Sequence, residues 1–346
     1  CEVELTEWTE DGRLRHPSFQ GLREDKDPAE VTRERPKAAP RPARKPGGAA
    51  EVAGVPLTSP DRVLYEGMGL TKLDLARYYE RVAEPMLPHV ADRPLSLVRC
   101  PQGRGGECFF QKHVGDTFPE AVGRVEIREK EGEESKLYGT VSTAAGLVAL
   151  VQMGVLEIHV WGSRTDRLER PDRVVFDLDP DEGLAWERVI EATFALRARL
   201  AELGLESFVK TTGGKGLHVV VPLTRRHGWD EVKDFARAVA ADMVRREPGK
   251  YTDNVRKASR KGRIFIDYLR NARGATFIAP FSTRAREGAP VSVPIAWREV
   301  APDLRSDRWS AATLPGRLSR LKKDPWGGIG QVRQSITQEI RQKLGL

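Results

Sequence analysis

The sequence predicts a mixed domain of the α/β or α+β kind, in which sheets carry a group of acids and helices cover them. Three observations predict it. Two short strand-like runs each set aspartate among hydrophobes, two long runs place apolar residues at helical spacing, and no internal repeat is present.

The first strand is Val174-Val175-Phe176-Asp177-Leu178-Asp179-Pro180. Side chains alternate along a strand, so Val174, Phe176 and Leu178 face one layer while Val175, Asp177 and Asp179 face the other. Two like charges that close cannot both stay ionised in a dry interior unless a cation lies between them, and hard oxygen ligands suit Mg²⁺ or Mn²⁺. A lone Asp-x-Asp can also simply cap a strand and face water. The second strand, Arg263-Ile264-Phe265-Ile266-Asp267-Tyr268-Leu269, puts Asp267 on one face with Phe265 and Leu269, where an unpaired acid is costly. Three carboxylates from two strands make a plausible site for two metal ions about 3.5–4 Å apart, of the kind that clamps an in-line phosphoryl transfer.

The helices follow from periodicity. Thr71-Lys72-Leu73-Asp74 reads as a capping box opening a helix with Leu73, Ala76, Tyr79 or Glu80, Ala83 and Leu87 on one side. Leu184 to Leu203 buries Trp186, Val189, Ile190, Leu196, Leu200 and Leu203, with Thr193 and Arg197 in the same stripe; the arginine would lay its stem along the core. Asp230 to Arg245 buries Val232, Phe235, Val239 and Met243, and the end segments 315–323 and 335–346 look helical. Further strands are expected at 95–98, 109–112, 155–161 and 217–223.

Ahead of this lie two other kinds of chain. Residues 1–27 read as a strand, an Asp11-Gly12 hairpin turn and a second short run, too little for a core. Residues 28–54, with Pro36, Pro40, Pro42 and Pro46 among arginines and lysines, read as a semi-extended linker. From residue 55 to 346 the composition is globular. The chain starts at Cys1 within a strand-like run, as expected of a piece cut from a longer polypeptide.

At 346 residues and 39% hydrophobic the chain can bury a sizeable core. Its net charge of +7 and pI near 9.3 favour an anionic partner such as nucleic acid. No apolar run approaches the ~20 residues of a membrane span, and no signal peptide is recognisable, so a cytoplasmic protein with no membrane partner is expected. Cys1, Cys100 and Cys108 suggest neither a disulfide framework nor a zinc site, and Cys100 and Cys108 are expected to be ordinary reduced residues.

Around the acids, Lys210-Thr211-Thr212-Gly213-Gly214-Lys215-Gly216-Leu217-His218 combines glycines that let backbone amides approach an anion with a point charge at Lys215. It is not a Walker A loop, and an ordinary turn is the competing reading. His218 falls on a layer-facing side, where a core histidine is the default reading. Glu157, His159 and Trp161 share one face of their strand, suited to a sugar or base edge or else to solvent. Arginines and lysines at 256, 257, 260, 261, 263, 270, 273, 284 and 286 flank Asp267 on both sides like a phosphate track.

These motifs, in the order Phe-Phe-Gln-Lys-His (109–113), Glu-x-His-x-Trp (157–161), Arg-Pro-Asp-Arg-x-x-x-Asp-Leu-Asp-Pro (170–180), Lys-Thr-x-Gly-Gly-Lys-Gly-x-His (210–218), Trp-Asp-Glu-Val-Lys (229–233) and Phe-Ile-Asp-Tyr-Leu-Arg-Asn (265–271), resemble the polymerase domain of bacterial ligase D, one of the archaeo-eukaryotic primase-type polymerases. The run from Trp8 to Lys26 resembles the tail of the OB domain of bacterial ATP-dependent DNA ligases. The ligase nucleophile motif Lys-x-Asp-Gly and the adenylation domain are absent from this chain, so no ligation is expected.

The resemblance implies an α+β fold, a primase-polymerase core of two sheets flanked by helices. It implies Asp177, Asp179 and Asp267 as ligands of two Mn²⁺ (or Mg²⁺) ions, and an NTP or dNTP substrate held by His159 and Thr212 at the sugar and by Lys215, His218, Arg270 and Arg284 at the triphosphate. It implies recognition of a DNA 5′-phosphate by Ser59, Arg62 and Lys72, and template bases stacked on Phe109 and Phe110, worth about 1–3 kcal/mol per base; Ser59, Arg62 and Thr212 stand where asparagine, lysine and serine are common in the family, and each swap keeps a donor. Buried core aromatics are the competing reading for that pair. The implied activity is template-dependent nucleotidyl transfer, NTP-preferring, that fills gaps in bacterial end joining. The implied partners are broken DNA, the Ku end-binding protein and the ligase domain of the parent chain, with nucleoid association. A primer-independent primase, an idle DNA-end bridging module and a sugar-nucleotide transferase are the alternatives.

Overall fold

The structure, a computed structural model, describes residues 50–129 and 134–346 together with four short strands near the start of the chain. The chain divides into two units, Cys1–Pro46 and Gly47–Leu346. The first contains β1 (Glu2–Glu4), β2 (Glu7–Trp8), β3 (Leu14–Arg15) and β4 (Ser18–Gly21); β1 pairs with β4 and β2 with β3, both antiparallel. The Asp11-Gly12 turn and the linker over residues 28–49 lie outside the described residues.

In the second unit the described residues start at Ala50. Strands β5 (Ala50–Val52) and β6 (Val55–Leu57) form a hairpin through Ala53 and Gly54, whose φ angles of 50° and 77° are those of a turn that follows strand twist. A second small pair, β7 (Val63–Tyr65) and β8 (Leu70–Thr71), leads into α1 (Lys72–Val90). The capping box forms: Thr71 Oγ1 accepts from the Asp74 amide at 3.2 Å and Asp74 Oδ2 accepts from the Thr71 amide at 3.0 Å. The buried stripe of α1 is rotated from the expected one. Leu75, Tyr78, Val82 and Met86 are buried with Ala76, Tyr79 and Ala83, whereas Leu73 and Leu87 are only half covered. The reason is that two sides of α1 are covered, so no single stripe marks its core face.

Two larger sheets follow. The smaller is ordered β10 (Phe109–Gln111), β9 (Leu95–Arg99), β13 (Val155–Trp161), β19 (Thr276–Ile278), all antiparallel. Helix α2 (Ala144–Gln152) packs on α1 and on β13, and β11 (Gly123–Arg128) pairs with β12 (Ser135–Thr140). The larger sheet is ordered β17 (Tyr251–Thr252), β18 (Ile264–Asp267), β14 (Arg173–Pro180), β16 (Leu217–Pro222), β15 (Phe208–Thr211), β20 (Pro294–Ile295). Only β17–β18 is parallel among these pairs. Mostly antiparallel sheets with helices packed on them make this an α+β fold.

Helices α3 (Trp186–Glu202) and α4 (Trp229–Arg246) pack on the larger sheet. Val189, Leu196 and Leu200 from α3 and Val232, Phe235 and Val239 from α4 share a core with Val174, Phe176 and Leu178. Arg197 does not lie in the stripe of α3: it is exposed, its guanidinium 4.6 Å from the centre of the Trp297 ring. The buried arginine is Arg199, whose Nε sits 2.6 Å from Asp242 Oδ2 of α4, with Arg245 and Arg246 also on that carboxylate. Both partners of this pair are more than nine-tenths buried. Asp242→Ala leaves a guanidinium in the core and is expected to cost about 3–5 kcal/mol in a urea unfolding titration. The end helices are shorter than expected: α5 covers Leu314–Leu318 and α6 Gln338–Leu344.

The two cysteines expected to be reduced are instead joined, Cys100 to Cys108, with Cα atoms 4.3 Å apart. Register explains it. In the β9–β10 hairpin Arg99 pairs with Phe109, so the cysteines are the next opposed residues.

Candidate active site

The acids converge because of strand register. In the antiparallel pair β14–β18, Asp177 lies directly opposite Asp267, and Asp179 opposite Phe265. Opposed residues share a face, and Asp179 is two residues from Asp177, so all three carboxylates emerge on one side of the larger sheet. The other side carries Phe176 and Leu178 into the core. Asp267 is buried, Asp177 and Asp179 partly so.

Their electrostatics match a site short of positive charge. Burial and then the neighbouring Asp177 charge push the Asp179 carboxyl up; burial also raises Asp267, opposed by Arg270 and reinforced by Asp177. Burial would raise Asp177 too, but His218 and Arg270 draw it down to about 2. Arginines stand against all three acids: Arg260 Nη1 is 2.6 Å from Asp179 Oδ2, and Arg270 Nε is 3.0 Å from Asp267 Oδ2 and 4.0 Å from Asp177 Oδ2. With the side chains drawn to these cations, no three His, Cys, Asp or Glu groups among the described residues close on a single ion. Three hard oxygen donors on one face, two of them raised by burial and by the Asp177 charge, nevertheless fit Mg²⁺ or Mn²⁺ chemically.

A row of polar side chains crosses the sheet from there. Asp177 pairs with His218 on β16, and His218 with Lys210 on β15. His218 Nε2 is 3.4 Å from Asp177 Oδ2, and burial followed by the Lys210 charge pushes its imidazole down to about 4, so it is neutral at pH 7. Lys210 is fully buried, donates to Ser292 Oγ at 2.7 Å and is driven well below the ordinary lysine range by burial. His218 is thus both a buried histidine and a neighbour of the acids.

The glycine loop between β15 and β16 lies against the acids. A Cβ on Gly216 would stand 2.1 Å from the Leu178 carbonyl oxygen, and Gly213 has φ of 65° with Arg284 and Val291 close by. Neither position tolerates a side chain. Thr212 is buried and its hydroxyl serves the loop: it donates to the Gly216 carbonyl at 2.9 Å and accepts from the Gly214 amide. Ser306, which sequence reasoning missed, donates to the Gly216 carbonyl at 2.6 Å and accepts from the Thr212 amide. It lies in a charged loop with no local signal. Lys215 is exposed and paired with Glu182 at 3.1 Å, and its charge acts on Asp179.

His159 and Arg284 meet through Glu157. The expected half-solvated face of β13 is in fact buried: Glu157 and Trp161 are covered, and Trp161 stacks edge-on against Tyr138 and Trp229. Glu157 accepts from the Ala285 amide at 2.8 Å, lies 3.0 Å from Arg284 Nε and 2.8 Å from His159 Nε2. Burial alone would raise its carboxyl, but the His159 contact and Arg284 bring it down to about 2. Arg284 Nη1 also donates to the Thr212 carbonyl at 2.9 Å, tying the two sheets together. Phe110 stands edge-on to His159 at 6.0 Å, and both Phe109 and Phe110 are exposed on the edge strand rather than buried in the core.

The remaining expected residues form a separate group at the start of α1. The Arg62 amide donates to the Ser59 carbonyl at 3.0 Å and the Lys72 amide to the Arg62 carbonyl at 2.8 Å. Ser59 has φ of 51°, a left-handed conformation that asparagine adopts more readily than serine. Lys72 Nζ donates to the Thr58 carbonyl at 3.0 Å, and burial, then Arg62, lowers its ammonium to about 8.

Comparisons with known proteins bear on these geometries. Residues 71–326 match the family described as the LigD primase-polymerase domain, and residues 1–26 match the C-terminal region of ATP-dependent DNA ligases. The chain is 44% identical over its whole length to the multifunctional non-homologous end joining protein LigD of Pseudomonas aeruginosa, spanning 42% of that protein. It is 36% identical over 77% of its length to the protein of that name from Mycolicibacterium smegmatis, spanning 35% of it. The polymerase domain of Mycobacterium tuberculosis ligase D, solved in complex with DNA, superposes with a TM-score of 0.74 at 32% identity, covering 80% of this chain and 98% of that one. With the fold and the acid-bearing strands in place, these matches show that the chain belongs to the LigD primase-polymerase domain family.

Proposed function

We propose that this chain is a template-dependent nucleotidyl transferase that prefers NTPs and fills gaps or extends ends of broken DNA during bacterial end joining. The observation that carries the proposal is the register of β14 and β18, which sets Asp267 beside Asp177 and Asp179 at the foot of a glycine loop. Asp177, Asp179 and Asp267 would hold two divalent ions, Mn²⁺ or Mg²⁺; when bound, these supply Lewis-acid activation of a primer hydroxyl and neutralise departing pyrophosphate.

The chain's own residues bind and orient. Arg284, which reaches the glycine loop at the Thr212 carbonyl, and Arg270, which stands on Asp267, supply guanidiniums suited to a triphosphate, and the loop's amides add donors. Neutral His218 can donate one hydrogen bond to Asp177 or to a phosphate without adding charge. His159, oriented by Glu157, faces the space beside Phe110, where a ribose 2′-hydroxyl would find a polar partner. Exposed Phe109 and Phe110 offer stacking surfaces to template bases.

The proposed partners are broken DNA bearing a 5′-phosphate, Ku and the ligase domain of a longer parent protein; this chain by itself is expected not to ligate. Extension of a gapped duplex with NTPs or dNTPs and Mn²⁺ or Mg²⁺ tests the proposal. Incorporation directed by the template base and faster with NTPs is the expected result; label transfer independent of template, or none, overturns it. Omitting the primer in the same assay separates a primase.

Ser59, Arg62 and Lys72 are proposed to bind the 5′-phosphate. The low Lys72 value fixes the sign of a pH effect: its charge is present below about 8 and lost above it. The preference for a 5′-phosphorylated gap over a 5′-hydroxyl gap is therefore expected to fall between pH 7 and 9, and Lys72→Arg to retain it. Equal pH profiles for the two proteins in fluorescence-anisotropy binding would remove Lys72 from this role.

A further inference from the structure

A second cationic centre lies at the opposite end of β14 from the acids. Arg93, Arg164 and Arg173 converge on one carboxylate, Asp172. Arg93 holds it bidentately through Nη1 and Nη2, Arg164 Nε is 3.6 Å away and Arg173 Nε 3.5 Å away. Three guanidiniums against one carboxylate leave positive charge in excess. Arg93 and Arg173 are both more than nine-tenths buried, and Arg173 Nη1 has no hydrogen-bond partner among the described residues. An unsatisfied buried N–H on a charged group destabilises the fold.

Beside this cluster is a cavity of about 280 Å³, walled by Arg164, Arg173 and the rings of His89 and Trp326. A water takes about 30 Å³ of liquid, so a tetrahedral oxyanion fits with room to spare. Arg164 spends its Nη atoms on the Ala91 and Pro88 carbonyls at 2.8 and 3.0 Å, yet each Nη carries a second hydrogen. The one other acid on the wall, Asp324, accepts from the Trp326 amide at 2.9 Å and is exposed at the mouth. His89, buried against Trp326, is kept neutral: burial, then Arg173, Arg93 and Arg164, push it down to about 3. Besides these two carboxylates only the Asp92 charge acts on the cluster, through Arg164, and the cavity wall itself carries the two arginines and a neutral ring.

We propose that this cavity is a binding site for a small oxyanion, a phosphate or carboxylate group, received by Arg173 and Arg164 and separate from the nucleotide site. Such a ligand pairs with the two arginines that line the cavity and balances the charge that Asp172 leaves over. It also links the end of α1 to the segment around Trp326, so its occupancy stabilises the fold.

Selenate soaked into crystals of the full chain is expected to give an anomalous peak in the cavity, beside the Arg164 and Arg173 guanidiniums. In solution, melting curves in inorganic phosphate and in acetate at matched ionic strength identify which oxyanion is taken. The stabilising response is expected to persist in Lys215→Ala, on the nucleotide loop, and to need at least tenfold more ligand in Arg173→Met. Gly330 lines the same cavity and has open space at its Cβ position, so Gly330→Glu tests the idea without touching the arginines. It is expected to raise the melting temperature and abolish the response. A cavity without selenate, no response to either anion, or a response lost in Lys215→Ala and kept in Gly330→Glu overturns the proposal.

Discussion

Asp267→Ala is expected to reduce nucleotide incorporation on a gapped duplex by roughly a thousandfold or more, about 4 kcal/mol of barrier, while leaving DNA binding within about twofold. The asymmetry follows from position. Asp267 faces Asp177 across the β14–β18 pair, where its loss removes a proposed metal ligand, whereas Ser59, Arg62 and Lys72, the residues proposed to bind the 5′-phosphate, lie on separate elements. The substitution also releases Arg270 from its 3.0 Å contact, so a general loss of structure must be separated from a loss of chemistry. Urea unfolding does this: stability is expected to change little or rise, because a buried carboxyl pushed upward by burial and by Asp177 destabilises the fold when ionised. Incorporation unchanged in single-turnover kinetics would remove the two-metal proposal.

Glu157→Gln is expected to raise the KM for NTPs by about 10–100-fold with a smaller change in kcat, and to narrow the preference for NTPs over dNTPs. Glu157 reaches none of the three acids directly; it acts through His159 and Arg284, which it holds in place. A role in folding alone would leave the NTP-to-dNTP ratio unchanged, and that ratio is the decisive readout. The same substitution has a pH signature. The folded carboxyl titrates near 2 against an ordinary 4.5, so its stabilisation is fully present above about pH 4.5 and is lost as pH falls toward 2. The shift corresponds to about 3 kcal/mol. Acid unfolding of Glu157→Gln is therefore expected to be shallower over that window than for the unsubstituted chain.

Much of the site was legible because strand alternation needs only the local sequence. Asp177 and Asp179 fall on one face and Asp267 on the acid-bearing face of its own strand by counting residues, and the Thr71–Asp74 cap is a four-residue pattern. Departures from expectation share a cause. Glu157 and Trp161 look solvent-facing along β13, but the segment from Ala279 to Arg284, Tyr138 on β12 and Trp229 on α4 close over them. Arg197 and Arg199 are two residues apart on α3, and only the carboxylate of Asp242 on α4 decides which of them is buried. Cys100 and Cys108 become opposed only once β9 and β10 form a hairpin.

The sequence by itself determined which residues can carry the chemistry: acids on strands, glycines between two strands, a basic surround, and helices of the right period to cover a sheet. These are consequences of backbone geometry and side-chain type within a few residues. The tertiary structure alone decided who meets whom, that Asp177 faces Asp267, that Ser306 locks the glycine loop and that Glu157 joins His159 to Arg284. Register between strands far apart in the chain, and the burial that forces each charged group to find a partner, depend on the whole fold and leave no local trace.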